Sequence, residues 1–160
     1  MFSRYITIQT TGTEYQKAVI TADIISSLKK IPASVLQEFK ENGYTFSFIS
    51  NGTASADPDG LYYNAGGTGG YITVRSASNK VITHEFGHFV FDHRDILAEI
   101  ESLLKDPKEI AGVKLISASD YCKTSPSEFF AEAFFCYICF PDMLKTNALG
   151  TITLIDRLFN

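Results

Sequence analysis

The sequence predicts an α+β fold, in which a small mixed sheet with an edge strand is followed by a mainly helical C-terminal half. The two clearest β-prone runs, 44–50 and 71–74, lie in the first half, and helical spacing of apolar residues dominates the second. A chain of 160 residues, 45% apolar and 20% charged, suits one domain with one core. We therefore expect a single domain, 1–160, with an N-terminal lobe over about 1–93 and a helical lobe over about 94–160.

Two helices are predicted before the first strand. Thr13 and Gln16 have the spacing of a capping box, and apolar residues recur at helical spacing behind them, which predicts a helix over about 14–30. That apolar set is Ala18, Val19, Ala22, Ile25 and Leu28. Pro32 suits the first turn of a second helix, which Gly43 ends.

Two strands and two loops are predicted next. The run 44–50 is β-branched and aromatic, and the turn-forming residues of Asn51–Gly60 then break the chain. The glycines of 66–70 introduce a short β-prone run, which we interpret as an edge strand. Its residues are Tyr71, Ile72, Thr73 and Val74.

The second half is predicted to be helical. Ser78 or Asn79 can cap a helix that runs to about His93, and a further amphipathic helix is predicted over 95–104. Ser125 and Pro126 open a strongly apolar helix that continues to Phe140. Its phenylalanines are expected in the core: Phe129, Phe130, Phe134, Phe135 and Phe140. The tail, 152–159, is ambiguous between strand and helix, and we predict a helix.

Composition excludes several classes of partner. Fourteen Lys and Arg against eighteen Asp and Glu give a net charge of −4, and no basic run is available to bind nucleic acid. The longest apolar stretch, Phe129–Phe140, is too short to cross a bilayer, so no membrane association is expected. No signal-peptide pattern is present, which indicates a cytoplasmic protein as the chain stands, or a secreted one if a signal has been removed.

The three cysteines do not form a disulfide pattern. They number three and cluster in the last third of the chain, at Cys122, Cys136 and Cys139. Cys136 and Cys139 have C-x-x-C spacing, but they lie late in an apolar helix, where no helix dipole lowers a thiol pKa. We therefore expect no redox role for them.

The motif His84-Glu85-Phe86-Gly87-His88 lies in the middle of a predicted helix. Its two histidines, at i and i+4, project about 40° apart around the helix axis and can share one metal ion. Glu85 lies beside the first of them and can take a proton from an attacking water, which is how zinc peptidases divide these roles. The alternative is a solvated polar face on an ordinary amphipathic helix.

A catalytic zinc ion requires a third protein ligand. His93 does not fit the extended metzincin spacing, because Arg94 stands where that pattern has histidine, and we expect His93 to be exposed. Three other glutamates fit solvent-facing helix positions, namely Glu99, Glu101 and Glu109. Glu128 and Glu132 remain, at i and i+4 on an otherwise apolar helix, where burial of carboxylates requires a cation or donors.

Glu128 has a competing interpretation. Ser125 and Glu128 also match a capping box, in which the glutamate reaches back to the Ser125 amide. That reading leaves Glu132 unexplained. We prefer Glu128 as a metal ligand, with Glu132 hydrogen-bonded to a ligand imidazole so that it fixes the tautomer.

The two segments His84–His88 and Ser127–Phe134, with Tyr121, resemble the catalytic domain of the anthrax lethal factor family, which includes the small bacterial Pro-Pro endopeptidases. The resemblance covers roughly 31–140 in element order. It implies a zincin-like fold with one Zn²⁺ per chain. It also implies these roles: His84, His88 and Glu128 as ligands, Glu85 as general base, Tyr121 as oxyanion stabiliser, and Glu132 as support for the ligands. Without the resemblance, Tyr121 can be simply a packed aromatic residue.

An extended substrate can pair with an exposed edge strand through main-chain hydrogen bonds, which would position its scissile carbonyl. The run Tyr71–Val74 is the predicted substrate-binding strand, although an edge strand without a ligand is an equal alternative. The sequence thus predicts a monomeric zinc endopeptidase acting on an extended peptide or protein, with a proline-flanked site the first to test. The alternatives are an intracellular regulatory zinc peptidase that cleaves a repressor-type protein, and a non-catalytic peptide-binding module with a zincin fold.

Overall fold

The computed structural model describes residues 5–50, 58–67 and 69–159. Most of the loop predicted over Asn51–Gly60, and Thr68 within the glycine cluster, lie outside the described residues. The chain divides into two compact units, Met1–Phe86 and Gly87–Asn160.

The first unit contains a four-stranded sheet and two complete helices. In chain order its elements are β1 (Ile6–Gln9), α1 (Glu14–Leu28), α2 (Ala33–Glu41), β2 (Thr45–Ile49), β3 (Gly60–Asn64) and β4 (Gly70–Val74). A third helix, α3 (Asn79–Asp92), begins in the first unit and continues into the second. The predicted capping box of α1 is present, since Thr13 and Gln16 bond each other's backbone amides. α2 ends where Gly43 adopts a left-handed conformation, with φ +75°.

The sheet is mixed, with strand order β1-β2-β4-β3. β2 pairs in parallel with both β1 and β4, while β3 pairs antiparallel with β4. The predicted edge position of Tyr71, Ile72, Thr73 and Val74 is therefore wrong, because they belong to β4 and have β2 on one side and β3 on the other. Among the described strands, the edges are β1 and β3.

The edge prediction failed because β3 was not recognised as a strand. Its five residues begin with glycine and end with asparagine, both of which are depleted in strands, and they follow a run of turn-forming residues. β1 was missed as well. Once β3 pairs with β4, the second edge of β4 is satisfied and cannot accept a further strand.

The core of the first unit is largely aromatic. The rings of Phe39 in α2 and Phe86 in α3 have centroids 5.0 Å apart, and Phe46 of β2 lies 6.2 Å from Phe86. All three side chains are at most 4% exposed. Ile72 and Val74 of β4 are fully buried on the core face of the sheet. This packing holds the first two turns of α3 firmly against the sheet.

The second unit is helical, which confirms the predicted α+β class. After the end of α3 it contains α4 (Leu97–Leu103), α5 (Pro107–Ser117), a 3-10 turn (Tyr121–Lys123), α6 (Pro126–Cys139), α7 (Pro141–Asn147) and α8 (Leu149–Phe159). The helical prediction for the tail is confirmed. α5 and α7 were not predicted, and both begin at a proline, which suits the first turn of a helix.

α6 is the central helix of this unit, and residues 129–136 are buried on all its faces. Phe129, Phe130 and Phe134 are fully buried, as predicted. Phe140 is an exception, because it lies beyond the end of α6 and is 42% exposed, with its ring against Phe135.

Glu109 was expected to face solvent, and this prediction is wrong. Its side chain is buried, and its carboxylate accepts hydrogen bonds from the amides of Gly150 and Thr151, at 2.8 and 2.9 Å, and from the Thr151 hydroxyl at 2.7 Å. Those amides belong to the first turn of α8, where backbone donors lack partners within the helix. Glu109 thus caps α8 although it lies in a helix about forty positions earlier in the chain. No local sequence pattern predicts this contact.

Cys122 and Cys136 are buried free thiols, and Cys139 is a half-buried one. Within the described ranges, no helix combines the length and the hydropathy needed to cross a bilayer.

Candidate metal centre

α3 carries both motif histidines. His84 and His88 lie one helical turn apart, and both residues are half-buried. The helix begins after Ser78, whose hydroxyl accepts a hydrogen bond from the Lys80 amide at 3.2 Å. A rigid helix is a precise support for two ligands, because it fixes the spacing of their Cα atoms.

α6 carries Glu128 in its first turn. The Ser125 hydroxyl accepts a hydrogen bond from the Glu128 amide at 3.1 Å, so the serine half of the proposed capping box is present. The Glu128 carboxylate lies beside α3, with Oε1 3.5 Å from His88 Nε2. The helix start therefore orients Glu128, and its side chain contacts a motif histidine.

His84, His88 and Glu128 form a group that could hold a metal ion. Each offers one ligand atom, and the three atoms lie within 4.8 Å of one another. Two imidazole nitrogens and a carboxylate oxygen are ligands that zinc accepts, and bonds of 2.0–2.2 Å place neighbouring tetrahedral ligand atoms roughly 3.4 Å apart. The 3.5 Å separation between His88 and Glu128 matches that spacing. The donor set thus fits a small divalent cation such as zinc.

Ser127 orients one of these ligands, and sequence reasoning missed it. Its hydroxyl lies 2.7 Å from His88 Nδ1, while His88 Nε2 faces Glu128. A hydrogen bond at Nδ1 fixes the ring and leaves Nε2 to the metal. The signal available in the sequence was that Ser127, which carries a hydroxyl, directly precedes the candidate ligand Glu128.

Glu85 follows His84 directly on α3 and is buried, with 7% exposure. Its carboxylate borders β3, because a Cβ added at Gly60 would collide with Glu85 Oε1. The backbone of the sheet edge thus approaches the predicted general base closely, and glycine at position 60 permits this approach.

Gly87 brings the two ligand-bearing helices into backbone contact. A Cβ built at this position would lie 2.6 Å from Ala131 Cα and 3.2 Å from both the Ala131 carbonyl oxygen and Phe134 Cβ. Glycine inside a helix lowers its stability relative to alanine by about 1 kcal/mol, so a packing reason is expected. Here the reason is the close approach of α3 and α6 next to His88.

The remaining predicted residues lie in three settings. Tyr121 opens the 3-10 turn and is 64% exposed. Glu132 is 1% exposed on α6, one turn beyond Glu128. The pKa of the nearby Cys122 thiol is raised first by the burial of that thiol and second by the negative charge of Glu132. His93 is half-buried rather than exposed, with its ring 4.2 Å from that of Phe89, and it does not belong to the described metal-binding group.

The comparisons with known proteins concern the fold. No protein-family model and no curated protein matches this sequence. Among solved structures, that of a Pro-Pro endopeptidase from Paenibacillus alvei is similar, with a TM-score of 0.67, 14% sequence identity, and 99% of each chain covered. At this identity the likeness defines the fold alone. The chain has the α+β, zincin-like fold that the sequence predicted.

Proposed function

We propose that this protein is a zinc-dependent endopeptidase that hydrolyses a peptide bond in an extended peptide or protein. The observation that carries the proposal is the convergence of ligand atoms from His84, His88 and Glu128 within 4.8 Å. This set joins a helical histidine pair to a carboxylate forty positions later in the chain. The zincin-like fold and the motif glutamate, Glu85, add support.

In this proposal His84, His88 and Glu128 hold the zinc ion, and Ser127 holds His88 in the required tautomer. When bound, zinc would supply a Lewis acid that polarises the scissile carbonyl. Buried Glu132, one turn beyond Glu128, supports a ligand imidazole, the role that the resemblance to the lethal factor family implies.

Glu85 acts as general base and then as general acid. Its carboxylate takes a proton from the attacking water while the water oxygen bonds to the carbonyl carbon. The tetrahedral adduct then collapses, the C–N bond breaks, and the same proton passes to the leaving amine. Tyr121 donates its phenol proton in a hydrogen bond to the developing oxyanion, a role that rests on its position seven residues before Glu128 and on the family resemblance.

The substrate pairs with β3. This strand replaces Tyr71–Val74 as the substrate-binding edge, because β3 lies at the edge of the described sheet and its first residue, Gly60, borders Glu85. A peptide added alongside β3 therefore passes close to the general base. Peptides with two adjacent prolines are the first to test, since the similar solved structure is that of a Pro-Pro endopeptidase.

Metal analysis of matched variants tests the ligand set. We expect about one zinc per wild-type chain, near-complete loss of zinc from Glu128→Ala, and a decrease of about 10- to 100-fold in zinc affinity for Glu132→Ala. Glu128→Gln keeps the size of the side chain and serves as a control for packing. Equal zinc content in wild type and Glu128→Ala would contradict the ligand assignment.

Glu85→Gln tests catalysis separately from metal binding. We expect it to retain zinc at the wild-type level and to cleave no peptide, because glutamine cannot accept the proton from water. Cleavage of a peptide library is read by mass spectrometry. If the zinc-loaded wild type cuts no peptide but still binds some, the protein is a peptide-binding module with a zincin fold.

A further inference from the structure

Three large exposed side chains lie together on one face of the sheet of the first unit. They are Leu61 and Tyr63 of β3 and Tyr71 of β4, with exposed fractions of 47%, 50% and 38%. Tyr63 and Tyr71 are cross-strand partners, and their rings stack with centroids 5.1 Å apart and planes 25° from parallel. We call these three residues the tyrosine patch.

The tyrosine patch faces away from α3. Side chains alternate between the two faces of a strand, and the residues of β3 that point towards α3 are the even-numbered ones, since the Cβ position of Gly60 points at Glu85. Leu61 and Tyr63 therefore project from the opposite face. The partner of Leu61 on β4 is Thr73, whose hydroxyl lies 3.0 Å from that of Ser47. Thr73 and Ser47 are polar and uncharged, whereas the charged residues Asp59 and Arg75, whose backbones bond to each other, lie beyond Leu61 and Thr73 at the end of the strand pair away from Tyr63.

The hydrogen-bonding pattern of β3 defines which backbone groups face its outer side. The Arg75 amide donates to the Asp59 carbonyl at 2.7 Å, and the Ala65 amide donates to the Gly69 carbonyl at 2.9 Å. In an antiparallel pair, such bonded positions recur every second residue. The odd-numbered residues of β3 therefore bond to β4, and the even-numbered ones direct their backbone groups towards the outer edge.

We propose that the tyrosine patch is a specificity site for an apolar, aromatic or proline side chain of an extended substrate. This inference rests on the proposed peptidase function. Paired strands place opposite side chains on the same face, so the substrate residue opposite Tyr63 contacts the stacked rings. Tyr63 is three residues, or roughly 10 Å, along the strand from Gly60 and hence from Glu85. The patch therefore selects the two substrate residues that lie opposite Leu61 and Tyr63. These substrate residues are two positions apart and lie on the same side of the scissile bond.

The apolar and aromatic side chains of the patch decide the chemistry of the occupant. A tyrosine ring offers a flat apolar surface, and stacking on it adds to the gain from burying an apolar side chain. A charged substrate residue finds no counter-ion among the residues of the patch. The same rings could instead serve only to stabilise the β3–β4 pair, and the experiment has to separate these roles.

Cleavage of a peptide library by wild type, Tyr63→Ser and Tyr63→Phe tests the site. We expect wild type to select apolar residues at two alternate positions, and Tyr63→Ser to lose about two- to tenfold in kcat/KM for those peptides only, whereas Tyr63→Phe retains the preference. Tyr15→Ser is the matched control, because Tyr15 is 78% exposed on α1 of the same unit. Thermal unfolding shows whether each variant remains folded.

Peptide binding to the Glu85→Gln variant gives a second measurement, independent of cleavage. The protein has no tryptophan, so a single Trp moved along an eight-residue peptide is the only indole present. We expect its emission to shift to the blue at alternate positions, and the shift to disappear when Tyr63→Ser is added.

The outcomes distinguish this inference from the proposed function. Cleavage with an apolar preference that Tyr63→Ser leaves unchanged overturns the specificity site and leaves the peptidase intact. Absence of cleavage with a Tyr63-dependent shift in Trp emission supports the patch as a peptide-binding face and refutes the peptidase. Absence of both the preference and the shift overturns the site.

Discussion

Replacing Gly87 by alanine tests whether the close contact between α3 and α6 sets the geometry of the metal centre. The added Cβ would lie 2.6 Å from Ala131 Cα, whereas ordinary contacts begin at 3.4 Å. The obstructing atoms belong to the backbone of α6 and cannot rotate away. The two helices must therefore separate locally by about 0.8 Å.

That displacement is large on the scale of metal coordination. Ligand distances tolerate only about ±0.2 Å, and Glu128 lies one turn before Ala131 on the same helix. Its 3.5 Å separation from His88 should widen accordingly. We expect Gly87→Ala to lose at least about tenfold in zinc affinity, comparable to the removal of a group that orients a ligand.

The expected change in stability is smaller. Overpacking a core typically costs about 1–3 kcal/mol, whereas alanine gains about 1 kcal/mol over glycine in a helix. The net loss in the free energy of unfolding is then about 0–2 kcal/mol, or a decrease in Tm of up to about 8 °C for a protein of this size. The variant should therefore remain folded while its metal site is impaired.

Zinc affinity is measured by competition with a chromogenic chelator, and stability by urea unfolding of the metal-free protein. Glu109→Gln is the control, because it weakens the cap of α8 without changing α3 or α6. It should lose stability but keep wild-type zinc affinity. A folded Gly87→Ala protein that binds zinc as tightly as wild type would refute the argument from helix contact.

The further predictions concern three side chains, those of Ser127, Glu109 and Cys122. Ser127→Ala should lower zinc affinity about 10- to 100-fold without loss of fold, because His88 loses its partner at Nδ1; Ser127→Thr, which keeps the hydroxyl, should restore part of it in the same chelator assay. Glu109→Ala should lose about 2–4 kcal/mol in urea unfolding, since two amides of the first turn of α8 lose their acceptor, and a loss below about 0.5 kcal/mol would contradict this role. Burial raises the pKa of the Cys122 thiol, so in the native protein at pH 8 it should react with a thiol reagent more slowly than half-buried Cys139, as mass mapping would show. In the unfolded chain the Cys122 thiol has its ordinary pKa of 9.0, and in the folded protein its pKa is higher. The contribution of Cys122 to stability should therefore be complete below pH 9 and decline as pH rises further. Urea unfolding of wild type and Cys122→Ala at about pH 8 and about pH 10 would detect this decline.

The sequence alone determined the features that depend on neighbouring residues. The capping box at Thr13, the helix over α3 with its two histidines on one face, and the serine start of α6 all involve contacts within one turn. Residues a few positions apart encode such contacts directly, because the chain between them has few conformations. The α+β class followed from the same local patterns.

Only the tertiary structure decided which elements meet and which faces are buried. Periodicity predicted α1, yet Val19 and Ile25 of its apolar set remain 42% exposed, because burial depends on what packs against a helix. The pairing of β3 with β4 displaced the predicted edge, and Glu109 caps a helix that begins forty residues later. These relationships join distant segments, whose meeting is favourable only once the whole core has packed.

The candidate metal centre combines both kinds of information. One helical turn sets the spacing of His84 and His88, so the sequence could specify that pair. The place of Glu128 beside them, the hydroxyl of Ser127 on His88 and the contact at Gly87 all require α6 to lie against α3. The sequence identified Glu128 as a candidate ligand because a carboxylate on an apolar helix needs a cation or donors. The position of that carboxylate beside the histidines depends on long-range packing, for which no local rule exists.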